Sequence, residues 1–204
     1  TQTTEMGTLY SIDEIRAIAE TAHKHGLYLH MDGARLSNAA AALGATFKEF
    51  TTDVGVDIVS FGGTKIGALA AEAVVVLNPE LDDQIGYLRK TSMQLPSKMR
   101  FVSAQLIALL RDNARLAIGN GKHANGMAVK LDKGIRALGL TVPNPTEANA
   151  VFPILPAGVF EKLQEEFPFY VWDHTINQVR LMCSWDTTDE DVENLLAAIK
   201  KELN

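Results

Sequence analysis

Residues 60–76 read "SFGGTKIGALAAEAVVV", a stretch that sets a single lysine, Lys65, among glycines and apolar residues and then runs into a valine-rich strand. A lysine that is withdrawn from water shifts toward its neutral form, and neutral lysine is a nucleophile toward a carbonyl carbon. The stretch therefore predicts either a reactive lysine at the end of a strand or an ordinary surface lysine. Other parts of the sequence are needed to distinguish a reactive lysine from a surface lysine.

The composition excludes several classes of function. The chain has 204 residues, of which 47% are hydrophobic, and it carries a net charge of −6. Because it has no basic block, we exclude a nucleic-acid or anionic-membrane partner, and no apolar run is long enough to span a membrane. Cys183 is the one cysteine, which excludes a disulfide framework and a multi-cysteine metal site. We therefore expect a cytoplasmic protein whose partners are small molecules and copies of itself.

Apolar periodicity divides the first part of the chain into alternating helices and strands. Ser11 and Glu14 have the spacing of a capping box, and the helix that they open ends at Gly26. Strands are predicted at residues 27–32, 56–61 and 72–78, as in a parallel α/β sheet. Three strands are few for such a sheet. We therefore expect the reading frame to extend upstream of Thr1 by on the order of 100 residues.

The composition changes at residues 119–126, "GNGKHANG", which indicates a junction between two units. Beyond it, helical periodicity at 127–139, 158–167 and 187–203 and strand patterns at 148–155 and 178–185 predict a small α+β domain. We expect one domain over residues 1–118 and a second over residues 119–204.

Two side chains in the first domain suit one cofactor. Asp32 follows the first strand and Lys65 follows the second, and ligands of α/β sheets bind beyond the carboxyl ends of strands. An amine and a carboxylate in one crevice suit pyridoxal 5'-phosphate, because lysine can hold its aldehyde as an imine while aspartate keeps the ring nitrogen protonated. Neither residue is specific by itself. An Asp-Gly pair is most often a turn, and a lone lysine is most often solvated.

Four stretches resemble one enzyme family. "HMDGARLSNA" at 30–39 and "SFGGTKIGA" at 60–68 resemble the cofactor-binding core of L-threonine aldolases, which belong to the β-eliminating lyase group of fold type I pyridoxal-phosphate enzymes. The similarity continues through "LRKTSMQLPSKMR" at 88–100 and "QVRLMCSWDTTDEDVENLLAAI" at 178–199, so that it covers essentially the whole chain. It implies the later part of a fold type I large domain over residues 1–118, followed by the family's small C-terminal domain.

The resemblance implies roles for individual residues. Lys65 becomes the Schiff-base lysine and Asp32 the partner of the pyridine nitrogen. Arg35 and Arg180 become the clamp for the substrate α-carboxylate, a role that suits the planar fork of a guanidinium group. A histidine of the family's Asn-Thr-His motif is replaced here by Glu5, for which the alternatives are a role as the general base and a structural role, and we expect the first.

Three further candidate site residues come from the same resemblance or from the alternation of side chains along a strand. Arg100 and Lys90 match basic positions near the cofactor phosphate or the mouth of the site. His30 alternates with Asp32 on one strand face, so we expect a hydrogen bond from His30 to that carboxylate. No histidine has the spacing of a metal ligand, and we expect no catalytic metal. The family's phosphate-binding turn and ring-stacking side chain match nothing in these 204 residues, so we expect this chain alone to be incomplete and inactive.

The implied reaction is the cleavage of threonine, allo-threonine or a related β-hydroxy-α-amino acid to glycine and an aldehyde. A β-eliminating lyase or an aminotransferase would use the same aspartate, lysine and arginine. A truncated scaffold that binds no cofactor is a further alternative. Because fold type I sites lie at subunit interfaces, the resemblance also implies a homodimer or homotetramer.

Overall fold

The computed structural model describes residues 2–203. Thr1 and Asn204, the outer limits of the two predicted domains, lie outside the described residues. The first part contains three strands and two longer helices: α1 (Ile12–Lys24), β1 (His30–Gly33), α2 (Leu36–Leu43), β2 (Ile58–Gly62) and β3 (Glu72–Val76). The capping box of α1 is confirmed, because the Ser11 side chain accepts a hydrogen bond from Glu14 N and the Glu14 carboxylate accepts one from Ser11 N.

The three strands form a mixed sheet in the order β1-β2-β3. β1 and β2 are parallel, with Asp32 opposite Ser60, whereas β3 runs antiparallel to β2. The expectation of a parallel sheet is therefore wrong for its third strand. The physical reason is that residues 63–71 turn the chain back directly, while a parallel crossover needs a dozen residues or more.

A polar contact ties the start of β2 to its neighbours. Asp57 Oδ2 lies 2.9 Å from His23 Nε2 and accepts a hydrogen bond of 2.7 Å from Leu29 N, and Asp57 Oδ1 accepts one of 2.7 Å from Asn78 Nδ2. Burial raises the pKa of the Asp57 carboxyl, but these hydrogen bonds together outweigh burial and hold the pKa below its ordinary value. The contact thus favours the ionised carboxylate.

A short helix and a very long one follow the sheet, α3 (Ile85–Thr91) and α4 (Met99–Ala137). The backbone leaves the helical conformation within α4 at residues 111–114, where Asp112, Asn113 and Ala114 adopt positive φ angles between 55° and 58°. Residues 119–126 continue the helix after this break. The predicted junction therefore does not interrupt the helix, and the division into two units stays a prediction.

Close packing explains why residues 119–126 are rich in glycine and asparagine. A Cβ atom on Gly121 would lie 2.6 Å from Ser37 O, so only glycine lets α4 approach α2 so closely. Asn38 Nδ2 donates to Asn125 Oδ1 at 3.0 Å, and Asn125 Nδ2 donates to Asn38 O at 2.9 Å. The composition therefore marks a contact between two helices.

The last part of the chain forms a second sheet with two helices. Its strands are β4 (Ala150–Val151), β5 (Tyr170–Asp173) and β6 (Gln178–Met182), in the antiparallel order β4-β6-β5. The helices are α5 (Val159–Glu166) and α6 (Asp189–Glu202). The sequence patterns identified β4, β6 and both helices, but they missed β5.

Two clusters of buried apolar side chains follow the two sheets. The first includes Phe50, Phe61 and Ala117, and the second includes Ala128, Val151 and Ile199. α4 contributes to both, and it passes from one to the other between Ala117 and Ala128. No helix in the described part of the chain is both long and apolar enough to cross a bilayer.

Candidate active site

The carboxyl ends of β1 and β2 meet without side chains between them. A Cβ atom on Gly62 would lie 2.5 Å from Ala34 O, and one on Gly33 would lie 2.8 Å from Ser60 O. Glycine at both positions therefore lets the two backbones touch. This contact brings the strand end that carries Asp32 against the strand that leads into Lys65.

Lys65 lies in a short 3₁₀ turn, Thr64–Ile66, directly after β2. Ile66 is buried beneath the turn, whereas Lys65 is exposed. Asn120 of α4 donates a 2.7 Å hydrogen bond to Ile66 O, and Gln105 Oε1 accepts one of 2.8 Å from Leu69 N. These two hydrogen bonds attach the turn and the residues after it to α4 and leave Lys65 exposed. Lys65 has no hydrogen bond or ion pair with any residue from 2 to 203, and its side chain is exposed in this chain.

Asp32 is exposed at the end of β1, and its Oδ1 atom accepts a 3.0 Å hydrogen bond from Ala34 N. His30 does not bond to it. The His30 Nε2 atom instead lies 2.8 Å from the Ser60 hydroxyl, because Ser60 stands opposite Asp32 on the neighbouring strand. The predicted His30–Asp32 contact is therefore wrong, and the second oxygen of Asp32 has no partner in the described part of the chain.

Arg35 and Arg180 come together although they are far apart in sequence. Arg35 precedes α2, Arg180 lies on β6, and both side chains are half-buried. Burial has the largest effect on the Arg35 guanidinium and lowers its pKa, and the positive charge of Arg180 lowers that pKa further. The nearby Asp32 carboxylate raises it. These interactions join both arginines and Asp32 in one electrostatic cluster.

The Nε atoms of both arginines are buried without a hydrogen-bond partner. A buried N–H group that lacks an acceptor costs about 1–3 kcal/mol, and more if it is charged. Two neighbouring guanidinium groups also repel each other. A carboxylate bound between them would relieve both costs, since guanidinium groups bind carboxylates with paired hydrogen bonds. The arrangement is therefore suited to binding a carboxylate.

The structure does not bring the other candidates into this cluster. Glu5 is exposed in a turn of the segment 2–10, whose first N–H, that of Gln2, donates to Asp32 O at 3.0 Å. Arg100 is exposed at the start of α4, with its guanidinium 4.8 Å from the Phe101 ring centroid, and Lys90 is exposed on α3. None of the three pairs with Asp32, Lys65 or the two arginines within residues 2–203. Those residues also contain no group of three or more potential metal ligands.

Sequence reasoning missed two aromatic side chains beside Arg180. Its guanidinium carbon lies 5.3 Å from the ring centroids of both Tyr170 and Trp172. Both rings belong to β5, the strand that was not predicted. The alternation of aromatic residues in "YVWD" and the following "HTIN" turn were the signals that could have identified this hairpin.

The chain is similar to known proteins over nearly its whole length. A family model described as beta-eliminating lyase matches residues 1–157. A protein of Pseudomonas sp. (strain NCIMB 10558) named low specificity L-threonine aldolase is 42% identical over 202 residues, which make up 98% of this chain and 58% of that protein. Its counterpart in Pseudomonas aeruginosa is 41% identical over the same share. The chain thus spans little more than half the length of these relatives.

Solved structures share the fold. The threonine aldolase structure of Leishmania major matches all of this chain and 60% of its own, with a TM-score of 0.89 and 30% identity. Serine palmitoyltransferase of Sphingomonas wittichii matches 97% of this chain with a TM-score of 0.65 and 18% identity, a likeness of fold alone. The α/β fold shared by these structures is the fold type I architecture that the sequence motifs implied.

Proposed function

Because this chain belongs to the β-eliminating lyase family, we propose that it is part of a pyridoxal-phosphate-dependent aldolase. The proposed reaction cleaves the Cα–Cβ bond of threonine, allo-threonine or a related β-hydroxy-α-amino acid, and it yields glycine and an aldehyde. The observation that carries the proposal is the Arg35–Arg180 pair beside Asp32, with both buried Nε atoms free for an anion. The names of the relatives agree with it.

The residues at the strand ends fit the proposed cofactor. Asp32 has a free carboxylate oxygen for a protonated pyridine nitrogen, and exposed Lys65 has an unpaired amine for the aldehyde. The glycine contacts between β1 and β2 bring the two strand ends that carry these residues together. When bound, pyridoxal phosphate supplies an electron sink for the electron pair that bond cleavage releases. We assign Arg100 to the phosphate side of the site, where an exposed cation at the start of α4 suits a dianion.

The other steps of the proposed reaction are assigned to residues of this chain. Arg35 and Arg180 hold the substrate carboxylate and so fix the orientation of the Cα–Cβ bond. A general base has to take the proton of the β-hydroxyl group as the bond breaks. We assign this step to Glu5, because its segment is hydrogen-bonded through Gln2 to the end of β1 that carries Asp32. Asp32 would hold the ring nitrogen of the bound cofactor through its free carboxylate oxygen.

A substrate comparison tests this function. Protein expressed from the complete reading frame and loaded with pyridoxal phosphate should release acetaldehyde and glycine from threonine. Serine and tryptophan test for β-elimination, and an amino acid with a keto acid tests for transamination. Pyruvate from serine, or keto-acid exchange, in place of acetaldehyde would contradict the aldolase assignment. A protein that binds no cofactor would be the scaffold alternative.

We further propose that the protein is cytoplasmic and works as a homodimer or homotetramer. Several large apolar side chains lie exposed on α3, α4 and the loops beside them, among them Leu69 at 90%, Met93 at 88% and Tyr87 at 76%. Large apolar side chains left exposed in this number are typical of surfaces that are covered by another chain. Light scattering on the complete protein should give the mass of two or four chains, and a monodisperse monomer would contradict a shared site.

The division into domains at residues 118 and 119 also remains a proposal.

A further inference from the structure

The guanidinium group of Arg180 lies over the rings of two aromatic side chains. Its guanidinium carbon lies 5.3 Å from the ring centroid of Tyr170 and 5.3 Å from that of Trp172. A guanidinium group at this distance is attracted by the negative face of an aromatic ring. The Nε atom of Arg180 has no hydrogen-bond partner among residues 2–203, so it remains available to a carboxylate.

An irregular pairing brings the second ring into place. Tyr170 stands directly opposite Arg180, and the next pair is Val171 with Val179. Asp173 then pairs with Gln178, so that Trp172 is the extra residue of a β-bulge. A bulge increases the local twist of a strand and redirects side chains. Two aromatic side chains of β5 can thus contact the same arginine on β6.

The Trp172 ring is itself supported from the core. Phe152 is buried and packs against it edge to face, with the ring centroids 5.4 Å apart. Tyr170 differs, because 69% of its surface is exposed and burial cannot explain an aromatic residue there. Its one aromatic or polar side-chain contact in the described part of the chain is the one with Arg180.

Arg180 needs such support because of its neighbour. Arg35 lies close enough for the two positive charges to interact, and their repulsion favours a conformation in which Arg180 swings away toward solvent. No carboxylate of residues 2–203 forms an ion pair with Arg180. We propose that Tyr170 and Trp172 are positioning residues, which hold Arg180 beside Arg35 before the substrate arrives and thereby set the affinity for its carboxylate. This inference rests on the proposed function.

Paired variants of Tyr170 test the inference in the cofactor-loaded complete protein. Tyr170→Phe keeps the aromatic face, whereas Tyr170→Leu keeps apolar bulk without it. We expect the leucine variant to raise KM for threonine about three- to tenfold, the range for a partly exposed cation–π contact, with kcat within about twofold. The phenylalanine variant should match the unmodified protein. Tyr28→Leu, at another exposed tyrosine, is the control and should change neither constant. An unchanged KM in Tyr170→Leu, or an equal rise in Tyr170→Phe, would overturn the proposal.

A chemical readout separates this proposal from the proposed function. Phenylglyoxal modifies arginine, and mass spectrometry of the Arg180 peptide gives the rate at that residue. Arg180 should react faster in Tyr170→Leu than in the unmodified protein, while Tyr170→Phe should react like the unmodified protein. This comparison needs no turnover, so the aldolase assignment can fail while the positioning role stands. Equal rates in all three proteins would overturn the positioning role even if threonine is cleaved.

Discussion

Replacing Gly62 with alanine is expected to separate the strand end that carries Asp32 from the turn that carries Lys65. The new Cβ atom would lie 2.5 Å from Ala34 O and 2.8 Å from Ala34 Cα. A carbon–oxygen contact of this kind settles at about 3.3 Å, so the two backbones have to part by about 0.8 Å. The contact atoms belong to the backbone, and no side-chain rotation can relieve the overlap.

Two consequences follow for the complete, cofactor-loaded protein. Overpacking of this kind should lower the free energy of unfolding by about 1–3 kcal/mol, which urea unfolding measures. A displacement near 1 Å between reacting groups should lower kcat/KM for threonine by about 100-fold. The fall in kcat/KM should be larger than unfolding alone can explain, because most molecules of the variant stay folded.

Gly126→Ala is the matched control. Gly126 lies within α4, and no heavy atom lies within 4 Å of its Cβ position. Alanine there should leave kcat/KM unchanged and stabilise the helix by up to about 1 kcal/mol. Gly62→Ala could instead keep a free energy of unfolding within about 0.5 kcal/mol of the unmodified protein and a kcat/KM within twofold. That result would show that the backbone contact at Gly62 does not position the site.

Other outcomes follow from particular contacts. The depressed pKa of Asp57 means that its contribution to stability is present above the unfolded pKa of about 4 and is lost as the pH falls below it. Urea midpoints between pH 5 and pH 3 should therefore drop more steeply in the unmodified protein than in Asp57→Asn, and equal slopes would contradict this. Burial raises the pKa of the Cys183 thiol to about 12, so Ellman's reagent at pH 8 should label it only after unfolding, and rapid labelling of the native protein would contradict its burial. Gly121→Ala should cost about 1–3 kcal/mol, because its Cβ would meet Ser37 O at 2.6 Å, and a midpoint equal to that of Gly126→Ala would contradict the packing of α4 on α2.

Local signals predicted much of the fold. The capping box of Ser11 and Glu14 identified the start of α1, because a cap depends on residues within one turn. Asp32 and Lys65 were placed at strand ends for a similar reason, since each follows a strand-like run and has a glycine within three residues. The motifs then implied the fold that the solved structures share.

Non-local contacts account for what the sequence did not reveal. Glycine and asparagine at 119–126 were interpreted as a junction between two units, but they also serve the contact of α4 with α2, which brings Gly121 against Ser37. The direction of β3 could have been predicted from the short connection of residues 63–71. The Arg35–Arg180 pair was implied only by family resemblance, because no local pattern joins the residue before α2 to a residue on β6. The aromatic support of Arg180 depended on β5, and its bulge has no simple sequence signal.

The visible absorbance of the complete protein with pyridoxal phosphate, compared with that of a Lys65→Ala variant, tests the central claim most directly. Lys65 is the amine assigned to the cofactor aldehyde, and Lys24→Ala on the exposed face of α1 is the matched control. The unmodified protein and the control should show the absorbance band of lysine-bound cofactor and should cleave threonine, while Lys65→Ala should lose both. A band and turnover that persist in Lys65→Ala would contradict the assignment of Lys65 and of the site built around it.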